Sequence, residues 1–189
     1  MTTLPNRRLY VSIVVSVDGF IEGPSQELDW FEHDNAQFQN YCEEMMDSVG
    51  LAIYGRRAYE LMVQYWPNAE RQPQSAQTLA FAQRMNALPK LVMSRTLEQA
   101  SWNNTRVVRG PDEVARLKRE PGKPIVAWAG AGLVSTLAAA GLIDEYRLVV
   151  HPTVLGKGRP LFTQRQRLRQ VRTQSLGGGV SVLCYEPVR

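Results

Sequence analysis

The chain has 189 residues, a formal net charge of +4 from 22 Lys and Arg against 18 Asp and Glu, two histidines and two cysteines. That length suits one domain whose core is buried without metal or disulfide staples, and Cys42 and Cys184 are too few for a disulfide framework. The charge suits anionic ligands but is no nucleic-acid signature, no run reaches the roughly 18 apolar residues of a spanning helix, and the polar segment 1–8 lacks an apolar signal region, so a soluble, cytoplasmic protein with neither nucleic-acid nor membrane partners is expected.

The β-branched, apolar run over residues 9–15 predicts a central strand covered on both faces. Asp18-Gly19 and Gly23-Pro24 mark turns, and residues 36–48 place Phe38, Tyr41, Cys42, Met45 and Met46 on one helical face, with Asp34 or Asn35 as its cap. Residues 51–54 read as a strand running through Gly55 into a short helix over 57–65, closed by Trp66-Pro67. A helix over 76–86, a strand over 90–94, a brief strand at 107–108 and a helix opened by Pro111 and Asp112 follow. The strand 125–128 leads through a glycine-rich turn into a small apolar helix over 133–140, capped by Gly141, and 145–151 is the next strand. Two extended runs, 168–175 and 180–185, joined by Leu176-Gly177-Gly178-Gly179, read as an antiparallel hairpin. The expected fold is α/β, one domain over residues 1–189 with a core of about 8–187: a mostly parallel central sheet flanked by helices, with an antiparallel C-terminal hairpin.

Several turns carry chemistry. Arg56 and Arg57 open a helix, where they oppose its dipole, and they are better explained by a bound anion than by solvation alone. Ala129-Gly130-Ala131-Gly132 lets backbone approach a pyrophosphate and then opens a helix at Leu133 whose N–H groups point at it. A Rossmann reading fails, because Ser135 stands in place of the third glycine and no acidic residue ends a strand about 20 residues on. Asp18 either forms a turn or serves the chemistry, and Trp30 is either a lid or an anchor for its loop. Lys157 and Arg159 offer cations that suit a phosphate, a surface hairpin or a dimer contact. His33 and His151 have no partner evident in sequence, the arginines at 165, 167, 169 and 172 read as a solvated strand face, and no Cys or His cluster has metal-ligand spacing.

Ser16-Val17-Asp18-Gly19, Gly55-Arg56-Arg57 with Tyr59-Glu60, Trp128 to Gly132 with Leu142-Ile143-Asp144-Glu145, and Leu155-Gly156-Lys157-Gly158 with Pro160-Leu161-Phe162 occur in an order that resembles the dihydrofolate reductase-like superfamily. The resemblance is greatest to the C-terminal reductase domain of the bifunctional riboflavin biosynthesis deaminase-reductase and its stand-alone relatives. It implies an NADPH-dependent reductase of a pyrimidine- or pteridine-like substrate, most similar to 5-amino-6-(5-phosphoribosylamino)uracil reductase, or to a dihydrofolate reductase acting on another heterocycle. A nucleotide-binding protein without turnover is the alternative outside enzymes. By resemblance, Gly55, Arg56, Arg57, Ser94 and Arg95 meet the cofactor's 2′-phosphate, and Ala129, Gly130, Ala131, Gly132 and Leu133 its pyrophosphate. Asp18 and Asp34 are the catalytic candidates, Asp34 doubling as a helix cap, and Trp30, Lys157 and Arg159 are the candidates for substrate. The resemblance further implies a homodimer and a cis peptide between Ala129 and Gly130.

Overall fold

The structure, a computed structural model, describes residues 6–31 and 35–188. Strand β1 (Leu9–Ser16) lies at the centre of an eight-stranded sheet, parallel to β6 (Ile125–Trp128) on one side and to β7 (Glu145–His151) on the other. Beyond β6 the sheet continues in parallel through β3 (Leu51–Gly55), β4 (Lys90–Met93) and β5 (Thr105–Val108). Beyond β7 it ends in the antiparallel pair β10 (Ser181–Pro187) and β9 (Leu168–Ser175). A two-stranded ribbon of β2 (Phe20–Glu22) and β8 (Arg159–Pro160) stands apart from this sheet.

Apolar residues at consecutive positions of β1 go to opposite faces, which is why the strand shows no polar alternation. Leu9 and Val11 join Val114 of α4 (Pro111–Lys118) and Leu133, Val134 and Leu137 of α5 (Ala131–Ala139) in one core. Tyr10 points the other way, into a second core with Met45 and Met46 of α1 (Ala36–Ser48), Tyr59 of α2 (Arg56–Arg71) and Met85 of α3 (Ala76–Ala87). Helices on both faces of a parallel sheet leave the carboxyl ends of its strands as the open edge.

The sequence reading places every long element, misses the short β2–β8 ribbon and errs in three further details. Helix α2 does not stop at Trp66-Pro67 but carries Pro67 inside it to Arg71. A proline in a helix interior costs about 3 kcal/mol, but here the last turns are held from outside: Asn86 of α3 donates to the Trp66 carbonyl at 3.3 Å, and Ala69 is buried. Helix α5 begins at Ala131, two residues before the expected start, because Gly130 serves as its extended N-cap (φ −70°, ψ 167°). The described residues contain no cis peptide bond; the Ala129–Gly130 bond is therefore trans, correcting the expectation from resemblance, and trans is the form favoured by about 3 kcal/mol outside proline.

Candidate active site

A cleft of about 850 Å³ opens at the carboxyl edge of the sheet, lined by residues at or just beyond the ends of β3, β4, β5 and β6. Three helices begin there, and each has a glycine as N-cap with no side-chain capping bond: Gly55 for α2, Gly110 for α4 and Gly130 for α5. By contrast, α1 and α3 are capped by their own chain, Asn35 accepting from the Gln37 and Phe38 amides and Ser75 from that of Thr78. Neither α2 nor α5 has an acidic residue in its first turn, whereas α4 has Asp112 and Glu113. The amides of α2 and α5 are thus left to an external acceptor, with the positive end of each helix dipole behind them. A side chain at Gly130 or Gly132 would meet nothing within 4 Å, so these glycines keep open space in front of those amides.

Cations surround the same edge. Arg56, half exposed at the start of α2, donates from Nε to Glu60 at 2.7 Å and from Nη1 to the Thr96 hydroxyl at 2.6 Å. The turn that presents Thr96 is internally fixed, the Ser94 hydroxyl accepting from the amides of Thr96 at 3.3 Å and Leu97 at 3.0 Å. Arg109, which sequence reasoning missed, donates from Nη1 to the carbonyls of Ser94 at 2.8 Å and Leu97 at 2.7 Å and lines the cleft with Arg95. Its sequence signal, an arginine between a strand end and Gly110-Pro111, was available but weak.

The β2–β8 ribbon brings in a carboxylate that sequence reasoning also missed. Glu22 is buried and accepts at one oxygen from Arg57 Nη1 at 3.0 Å and from Arg159 Nε at 2.6 Å. The ribbon is close-packed: a Cβ on Gly158 would lie 2.2 Å from the Glu22 carbonyl oxygen, and Gly158 has φ +155°. Glu22 is the only carboxylate lining the cleft among the described residues.

The remaining wall is mostly apolar, with Val14, Leu28, Phe31, Phe38, Met45 and Val149 around Ser12, Tyr41 and Cys42. Burial pushes the Tyr41 phenol and the Cys42 thiol each up to about 12, so both are neutral near pH 7 and Cys42 is no thiolate nucleophile. Among the described residues no group of three or more His, Cys, Asp or Glu could hold a metal ion.

Of the candidates read from sequence, the cleft gathers Gly55, Arg56, Arg57, Ser94, Arg95, Ala129, Gly130, Gly132, Leu133 and Arg159. Ala131 is buried behind the turn. Asp18 is outside the cleft wall; its carboxylate accepts from the Ser16 hydroxyl at 2.6 Å and from the amides of Gly156 at 2.8 Å and Leu155 at 3.2 Å, tying the first turn to the later glycine loop. Those bonds hold its pKa below the ordinary carboxylate value. Trp30 also lies off the wall, edge-on to Phe31 and His151, so it anchors its loop. Lys157 is exposed and absent from the wall. Asp34 and His33 lie outside the described residues.

A parallel sheet with this strand order, an antiparallel terminal pair and a ligand-sized cleft at its carboxyl edge is the dihydrofolate reductase-like fold. Dihydrofolate reductase from Enterococcus faecalis, complexed with NADP(H), superimposes with a TM-score of 0.62 at 13% identity, over 95% of this chain and 96% of that one. A Shewanella sp. PV-4 protein named for riboflavin biosynthesis does so with a TM-score of 0.71 at 18% identity, over 96% and 99%. In sequence, residues 7–182 match the RibD C-terminal domain model, and the chain belongs to that family. The uncharacterized protein YyaP of Bacillus subtilis is 36% identical over 190 residues, 96% of each chain.

Proposed function

We propose that this protein is an NADPH-dependent reductase of a pyrimidine- or pteridine-like heterocycle. The observation that carries the reading is the convergence of two uncapped helix N-termini, those of α2 and α5, with Arg56, Arg95 and Arg109 on one side of a single cleft. Membership of the RibD C-terminal domain family and the NADP(H) complex of the Enterococcus faecalis neighbour support it.

The residues present fit such a cofactor. The open amides at Gly130 to Gly132 suit a pyrophosphate, and the Arg56 guanidinium, presented beside the 94–97 turn, suits a 2′-phosphate as a planar donor fork. Bound there, NADPH supplies a hydride. The chain's own contribution is to bind, orient and exclude water: the apolar wall from Val14 to Val149 holds a flat ring against the cofactor side and strengthens every polar contact within. Asp18 is committed to backbone amides, so it shapes the entry loop, and the proton for a reduced ring nitrogen comes from water.

The test is a calorimetric titration with NADPH and with NADH at low salt. Tight NADPH and weak NADH binding is expected, followed by heterocycle-dependent NADPH oxidation; binding of neither nucleotide would sink the reading. NADPH binding without turnover on any heterocycle would leave a nucleotide-binding module. We further propose a cytoplasmic homodimer, which sedimentation at micromolar concentration tests.

A further inference from the structure

The five arginines lining the cleft fall into two groups. Arg56, Arg95 and Arg109 belong to the side of the 94–97 turn, where Arg109 braces the turn and Arg56 reaches Thr96. Arg57 and Arg159 stand on the ribbon side and both point at Glu22, whose side chain is only 10% exposed. Its carboxylate occupies the place where a phosphate would have to sit to be gripped by both guanidinium groups at once. The pair's charge of +2 is thereby reduced to +1, and the point on which the donors converge is itself anionic. Displacing Glu22 would strand a buried carboxylate, a costly state.

Among the described residues nothing else on that side compensates. Among the described residues lining the cleft there is no further lysine or arginine, and Lys157 is exposed away from it. Elsewhere the wall includes Leu28, Phe31, Phe38 and Met45, with Ser12 and the neutral Tyr41 phenol as polar groups. Such a surface suits a flat, uncharged ring and offers a phosphate ester no cation.

We infer that the substrate half of the cleft takes a heterocycle without a phosphate group, and that Glu22 sets this selectivity by occupying Arg57 and Arg159. The inference rests on the reductase reading, which gives the other three arginines to the cofactor, and it departs from the phosphoribosyl substrate implied by resemblance. Glu22 is a specificity residue here, with no part in the hydride step.

The probe is ribose 5-phosphate, titrated calorimetrically into the NADPH-saturated protein. Wild type should show no binding at millimolar concentration. Glu22→Gln, which removes the charge and keeps the shape, should gain at least about tenfold in affinity for the probe, and the Glu22→Gln/Arg159→Ala double variant should lose that gain. Wild-type binding of ribose 5-phosphate that disappears in Arg159→Ala overturns the inference, as does a folded Glu22→Gln protein with no gain. If Glu22→Gln does not fold, Glu22→Asp, which withdraws the charge by one methylene, should give a smaller gain reversed by the same Arg159→Ala change, and no gain overturns the inference. NADPH binding is read first in each titration. Its absence would fail the reductase reading alone, since the same variants still report the phosphate affinity of the two ribbon arginines in the ligand-free protein.

Discussion

Lys90 and Glu22 are both almost wholly removed from water, and they are satisfied by opposite means. Lys90, 1% exposed, donates from Nζ to the carbonyls of Met85 at 3.0 Å, Asn86 at 3.1 Å and Leu88 at 2.6 Å, and lies 4.4 Å from the Trp102 ring centroid. It closes the carboxyl end of α3, where carbonyls lack intrahelical partners and a cation is favoured. Glu22 is held by two side chains, Arg57 and Arg159, that are themselves 40% and 52% exposed. A charge satisfied by backbone cannot change partners without opening a helix end. One satisfied by half-exposed arginines at the cleft withholds those arginines from a ligand, so the first belongs to stability and the second to recognition.

Breaking the first arrangement should give the largest effect. Lys90→Met leaves three carbonyl groups without their donor, and a net loss of about 3 kcal/mol is expected, lowering Tm by about 6–12 °C while NADPH affinity is unchanged. Burial lowers the Lys90 pKa from 10.5 to about 8. Between pH 8 and 10.5 the unfolded chain therefore binds more protons at this site than the native one, and the lysine's contribution to stability rises with pH. The stability gap between wild type and Lys90→Met, followed by urea unfolding, should widen across that window. A constant gap would mean that the carbonyls hold the ammonium charged well above pH 8.

Arg56, outside both arrangements, carries the comparison to the cofactor side of the cleft. Its pair with Glu60 is half exposed and spaced i, i+4, so the guanidinium contributes little to the fold. Arg56→Ala should leave Tm within about 1 °C, and should cost about 1.5–3 kcal/mol of NADPH affinity, roughly 10- to 150-fold, through loss of charged contacts. NADH affinity should not move. Equal losses for both nucleotides would place Arg56 away from the 2′-phosphate.

What the sequence made legible follows the range of the forces involved. Strands β1, β3 and β6 were readable because a strand buried on both faces is apolar at nearly every position, and Asn35 was readable as one of two candidate caps, with Asp34, because capping is local. The glycine turns at Gly55 and Gly130 were readable too, although the helices after them were expected to begin one and two residues later than they do. Helix α2 ran past Pro67 because contacts with α3 outweighed a local penalty, and no local pattern reports contacts with α3. The ribbon strands β2 and β8 have three and two residues, too short for any periodicity, so Glu22 could not be seen to meet Arg159. Lys90 was read only as the first residue of a strand, since only the assembled fold brings the end of α3 and Trp102 around it.

Asp18 sharpens the comparison at the smallest scale, because it combines backbone partners like those of Lys90 with the exposure of a surface group. The Ser16 hydroxyl and the Gly156 and Leu155 amides bond its charged form and hold its pKa below 3.8. As pH falls below that ordinary value the unfolded chain takes up a proton before the native one does. The stability from this carboxylate is thus present above pH 3.8 and is lost as pH falls through its lowered native pKa. Asp18→Asn should flatten that part of the acid unfolding curve. At neutral pH it should speed amide exchange at Leu155 and Gly156 with little change in global stability, because the bonds lie at an exposed loop contact. NADPH affinity should be retained, since Asp18 is not on the cleft wall. A folded Asp18→Asn protein that binds NADPH and substrate normally yet has lost turnover would return this carboxylate to the chemistry. Faster exchange at the two loop amides with kcat intact would confirm that backbone partners commit a charge to structure even where water can reach it.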